Sequence, residues 1–106
     1  MGRAFVLQQP AVATAVSPYW ETAQQYDLTG KLTEHSAGQW HVELEVKLRT
    51  VASSGHASVT FDDDLPFDDL RAAQEYAEAK LLQLVRTMTG CQRSSFTNKP
   101  VWAESK

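Results

Sequence analysis

From Gln39 to Arg49 every second residue is apolar: Trp40, Val42, Leu44, Val46 and Leu48. The residues between them are Gln39, His41, Glu43, Glu45, Lys47 and Arg49. A period of two marks a strand with one dry face and one wet face. Between Asp69 and Thr89 the period becomes helical. Leu70, Ala73, Ala77, Leu81, Leu84, Val85 and Met88 fall on one stripe at about 100° per residue. The two alanines let such a helix approach a sheet closely. Asp68 is the expected N-cap, with Asp69 in the first turn where negative charge suits the helix dipole, and Gly90 is the expected stop.

The central pattern has weaker neighbours. Tyr26, Leu28 and Leu32 alternate with Asp27, Thr29, Lys31 and Thr33, which predicts a first strand with Gly30 as its weak point. His35 to Gly38 supplies the turn. After the small-residue stretch Thr50–Gly55, a third strand carries Ala57, Val59 and Phe61 on one side. Opposed residues of an antiparallel pair share a face, so register is constrained by parity. One register consistent with parity pairs Leu32 with Trp40, Leu28 with Leu44 and Tyr26 with Val46. On the other side, Val46 pairs with Val59 and Leu44 with Phe61. The expected fold is α+β: a three-stranded antiparallel meander with the Trp40–Leu48 strand in the centre and one long helix on its dry face. A helix of about 31 Å matches a strand of about 36 Å.

The ends are less defined. Residues 1–16 read as an arm in which Ala4–Leu7 could form a short strand. Ser17-Pro18 could start a short helix over 18–25, although Trp20, Thr22 and Tyr26 suit a strand equally. With that helix the order becomes α-β-β-β-α over residues 17–90, which resembles the double-stranded RNA-binding domain in element order. That family places lysines at the start of its last helix, where this chain has Asp68, Asp69, Leu70 and Arg71. The resemblance therefore implies a fold and not its RNA contact. Residues 91–106 read as a tail.

A chain of 106 residues with 42% hydrophobic content is expected to form a single domain. The net charge of -3 argues against general nucleic-acid affinity. The wet face adds to this, because it offers Thr, Lys, His, Glu, Arg and Ser but no aromatic platform for base stacking. The tail is the one basic region, with Arg93, Lys99 and Lys106 against Glu104. The single cysteine, Cys91, and the lack of a long apolar run lead to an expectation of a cytoplasmic protein with no membrane span.

No catalytic or metal-binding constellation emerges. Cys91 and His35, His41 and His56 lack the spacing of a nucleophile–base pair or a zinc site, and no cofactor or small-molecule ligand is implied. Two surfaces remain as candidates. Tyr76 and Leu82 lie off the helix stripe, and the tail brings Phe96 and Trp102. The tail could fold back over the helix, or these four could form a surface for self-association or a partner protein. Asp62, Asp63, Asp64, Asp68 and Asp69 put five carboxylates in eight residues. They read as a solvated loop plus a cap, or as an acidic surface that docks a basic partner or imitates nucleic-acid phosphate, as in inhibitors of mobile-element type. The leading expectation is a non-catalytic interaction protein, homodimeric or partner-binding. The acidic inhibitor and nucleic-acid binding through the basic tail are the alternatives.

Overall fold

The computed structural model describes residues 2–8, 11–16, 23–49, 58–90 and 93–105. The elements are β1 (Ala4–Leu7), β2 (Val12–Val16), β3 (Gln24–Ser36), β4 (Gln39–Leu48), β5 (Ser58–Pro66), α1 (Leu70–Thr89), β6 (Arg93–Phe96) and β7 (Trp102–Ser105). Every strand pairing is antiparallel, and the seven strands form one sheet with α1 packed on it. The α+β class and the meander are therefore present, with β4 between β3 and β5, but the sheet is wider than three strands. Residues 1–16 contribute β1 and β2, and the tail contributes β6 and β7. The extra strands, before and after the meander in the chain and all beyond β3 in the sheet, also depart from the RNA-binding-domain order. Of the expected helix over 18–25, residues 18–22 lie outside the described residues and Gln24 and Gln25 open β3. Ala57, His56 and Cys91 also lie outside them.

The short strands form two broken rows. β1 and β2 both pair with the same side of β3, and β7 and β6 pair with their outer sides. Against β3, the six steps from Val6 to Val12 are matched by only four from Lys31 to Asp27, an excess of two. Against the outer row the steps match: Leu7 pairs with Trp102 and Ala13 with Phe96. The Gln8 amide donates to Val101 O at 2.8 Å, and the Thr97 amide donates to Val12 O at 2.7 Å.

The β4–β5 register is the expected one, with Val46 opposite Val59 and Leu44 opposite Phe61. It continues to Trp40–Leu65 and Gln39–Pro66, which places Asp62–Asp64 in a strand rather than a loop. The β3–β4 register differs by two residues: Leu32 faces Val42, Gly30 faces Leu44 and Leu28 faces Val46. The reason is the turn. β3 runs on to Ser36, the reversal is made by Ala37 and Gly38 (φ 77°), and the register shifts between Glu34 and Ser36, leaving His35 as a bulge. Parity survives a shift of two, so the same residues still face the core.

Ala73, Ala77, Leu81, Leu84 and Val85 are buried, with Leu70 and Met88 packed at their margins. They meet Trp40, Val42, Leu44 and Val46 of β4, Tyr26, Leu28 and Leu32 of β3, and Phe5, Leu7, Ala13 and Ala15 of the first row. The Phe5 and Trp40 rings lie 6.3 Å apart. The N-cap is Asp69 rather than Asp68: Asp69 has extended backbone, and its Oδ1 accepts the Ala72 amide at 2.8 Å. Gly90 ends the helix with φ 65° and donates its amide to Arg86 O. Replacing Asp69 with Ala is expected to cost about 1 kcal/mol, and Leu81 with Ala about 2–5 kcal/mol, both measurable by chemical denaturation.

Gly30 has a particular role. A Cβ built there would lie 3.1 Å from both Leu44 Cδ2 and the outer edge of the Trp102 ring. The missing side chain makes room for an indole arriving from β7, so the tail is seated over β3 at Gly30. Gly30→Val adds methyls to that contact and is expected to destabilise the fold by about 1–3 kcal/mol, with a change in tryptophan emission as Trp102 is displaced.

Candidate functional site

Two regions carry the polar chemistry outside the core: the end of the β3–β4–β5 ladder, and the β6–β7 edge with the adjoining flank of α1.

At the ladder end, His41 and Asp64 are cross-strand partners on the wet face. His41 Nδ1 and Asp64 Oδ1 are 2.7 Å apart, and His35 Nε2 lies 3.4 Å from the same oxygen. The bulge at His35 turns its ring to this face, so one carboxylate serves two imidazoles from three strands. The hydrogen bond to Asp64 raises the His41 pKa above its ordinary 6.5; desolvation opposes this, and the charges of Asp64, Glu43 and Asp62 add to it. The hydrogen bond from His41 lowers Asp64 below its ordinary 3.8, against desolvation, with the positive charge of both histidines contributing. The arrangement fastens β5 to β4 and favours the protonated form of His41. Among the described residues no three His, Cys, Asp or Glu are grouped to hold a metal ion.

The sign of the pH dependence follows from these directions. A raised His41 pKa stabilises the fold fully below 6.5, and that contribution is lost as pH rises through the folded value. A lowered Asp64 pKa stabilises above 3.8 and is lost as pH falls through its folded value. The pair is therefore at full strength between these limits. NMR titration is expected to find the His41 midpoint above 6.5 and to find it lowered in Asp64→Asn.

The five aspartates do not make one surface. Asp62 and Asp64 point to the wet face, Asp63 shares the face of Val42, and Asp69 caps α1. Their common feature is position on or next to β5, an outer strand. The Phe67 amide donates to Gly38 O at 3.1 Å, which sets the alternation along the ladder. The amides of Asp62 and Asp64 are then directed outward, as is Pro66, which has no N–H. The outward Asp64 amide is taken by the Asp63 carboxylate at 2.8 Å. Carboxylates, a proline and a self-satisfied amide are the means by which an edge strand resists pairing with another chain.

The opposite edge differs. The Gln8–Val101 and Val12–Thr97 bonds direct the backbone groups of Trp102 and Glu104 in β7, and of Ser94 and Phe96 in β6, away from the sheet. Among the described residues no strand lies beyond them. Trp102 Nε1 donates to Glu78 Oε2 at 2.9 Å, and Ser94 Oγ donates to Leu82 O at 3.4 Å, which pins both strands to α1. A groove of about 720 Å³ runs between the helix and this edge, with Leu70, Arg71, Glu75, Glu78, Lys99 and Trp102 along it. Val101, the residue before Trp102, is 54% exposed.

The four expected partner residues are divided by the helix. Leu82, Phe96 and Trp102 lie on the β6–β7 flank, half-buried and packed against the core. Tyr76 lies on the β5 flank, its ring 5.3 Å from Phe67, where Lys80 also covers Phe61 at 4.5 Å. The tail does fold back, and Phe67 rather than the tail covers Tyr76. The His41–Asp64 pairing follows from the β4–β5 register once β5 is extended, whereas the participation of His35 depends on a bulge that no sequence signal marks. No family model, curated protein or solved structure matches this chain.

Proposed function

We propose that this chain is a small, non-catalytic interaction module that engages another polypeptide at its β6–β7 edge. The observation that carries the reading is the difference between the two sheet edges. β5 has its outward groups blocked by Pro66, by the Asp63–Asp64 contact and by charge. β6 and β7 direct backbone donors and acceptors outward beside a groove. Strand addition to such an edge draws affinity from the main chain and selectivity from side-chain pockets alongside it.

Nucleic acid fits the polar surface poorly. The wet-face depression bounded by Lys31, Glu43, Glu45 and Asp62 sets three carboxylates against one ammonium group, and phosphate would be repelled there. The aspartate run is better accounted for by capping α1 and guarding β5 than as a phosphate imitation, because its carboxylates are spread over two faces.

The test is site-specific photocrosslinking in the native host. A benzophenone side chain at Val101 is expected to give a discrete crosslinked species, whereas the same group at Ala79, exposed on the solvent side of α1, gives none. Equal labelling from both positions, or none from Val101, would remove the reading.

A further inference from the structure

We propose that His35 and Asp64 form a proton-operated clasp that fastens the β3–β4 turn to the end of β5, shut while the His35 ring is charged and open when it is neutral. The clasp is independent of what binds at β6–β7.

The contact joins strands that are not neighbours, because β4 lies between β3 and β5. At the usual strand spacing their backbones are about 10 Å apart. His35 nevertheless places Nε2 3.4 Å from Asp64 Oδ1, so its ring reaches over β4. It is the extra residue of a bulge: Glu34 pairs with Trp40 and Ser36 with Gln39, and His35 is left between them. The bulge is held from two sides. On one, the Glu34 amide donates to Arg3 O at 2.7 Å, and Gly2 lies so close that a Cβ there would run into Glu34 O. Those contacts are backbone and indifferent to pH. On the other side the hold is His35 on Asp64, which depends on charge.

The two imidazoles on Asp64 differ in what survives deprotonation. At 2.7 Å, His41 keeps its hydrogen bond as a neutral ring, through the Nδ1–H tautomer. At 3.4 Å the His35 contact is longer than a good N–H···O bond, so its attraction is that of opposite charges. Loss of the His35 proton therefore releases the turn and leaves β5 on β4. The other charged groups around the cluster are Asp62 on β5, Glu43 on β4, Lys31 opposite Glu43 on β3, and Arg3, which Glu34 engages. Imidazole charge changes between about pH 5 and 8, so the clasp is shut on the acid side of neutrality and opens on the alkaline side. The lowered pKa of Asp64 keeps its carboxylate charged throughout that range. This end of β5 also carries Asp63 and Pro66, so the clasp adds a pH response to the edge they close.

Amide hydrogen exchange of the full chain at about pH 5 and about pH 8, corrected for the intrinsic rate, tests this. The Phe67 amide, which donates to Gly38 O, reports on the clasp, and the Arg49 amide, which donates to Gln25 O at the far end of the ladder, is the reference. Phe67 protection is expected to fall about two- to fivefold from the lower to the higher pH, the scale of an exposed ion pair, with Arg49 unchanged. His35→Gln and Asp64→Asn should each abolish the fall, while His41→Gln should retain it. In the wild type, about 1 M salt should flatten it without any substitution. A constant Phe67 protection, an equal fall at Arg49, a fall that survives His35→Gln, Asp64→Asn or salt, or one that His41→Gln removes would overturn the clasp.

Discussion

An open β-sheet leaves a row of backbone donors and acceptors without partners at each outer strand, and the rest of this molecule is arranged around that constraint. Inner strands satisfy one another. At β5 the chain blocks the edge with Asp62–Asp64 and Pro66, and at β6 and β7 the edge is two four-residue strands whose backbone groups at Ser94, Phe96, Trp102 and Glu104 point outward. The aspartate run, the most conspicuous polar feature of the sequence, thus has a structural explanation in the fold. The feature left without one is the edge on the other side.

The helix links the two edges. α1 follows β5 and returns the chain to the far side of the sheet, where β6 and β7 pair with β2 and β1. Ala73 and Ala77 allow the close approach, while Leu81, Leu84 and Val85 join Trp40, Val42, Leu44 and Val46 in the buried core. Its two flanks have separate tasks. On the β5 side Tyr76 and Lys80 cover Phe67 and Phe61, and on the other Glu78 and the Leu82 carbonyl hold Trp102 and Ser94. Gly30 completes the link, since the indole that anchors β7 occupies the space a side chain would take.

The elements that could be read directly are those with strong periodic contrast. Trp40–Leu48 alternates without a break, and the Leu70–Met88 stripe is bounded by a glycine that adopts the left-handed conformation a helix stop requires. β1, β2, β6 and β7 were much less legible. Val12–Val16 and Arg93–Phe96 are short and rich in Ala, Ser and Thr, and their partners lie far away in sequence, so tertiary pairing decides them. The same override converts Asp62–Asp64 from a loop composition into a strand, because Trp40 and Val42 extend a ladder that those residues complete. His35 shows the opposite limit: a single bulged residue shifts the β3–β4 register by one and brings a second imidazole within 3.4 Å of Asp64, with nothing in the local composition to mark it. The apolar residues left off the helix stripe were visible, but their division between two flanks depends on where each strand meets α1.

The central claim is that the β5 edge is closed and the β6–β7 edge is open. Amide hydrogen exchange followed residue by residue, with and without the partner captured through Val101, measures this directly. The account predicts that the outward amides of Ser94, Phe96, Trp102 and Glu104 gain protection when the partner is added while those of Thr60 and Asp62 in β5 do not. Partner-dependent protection along β5, or none along β6 and β7, would contradict it.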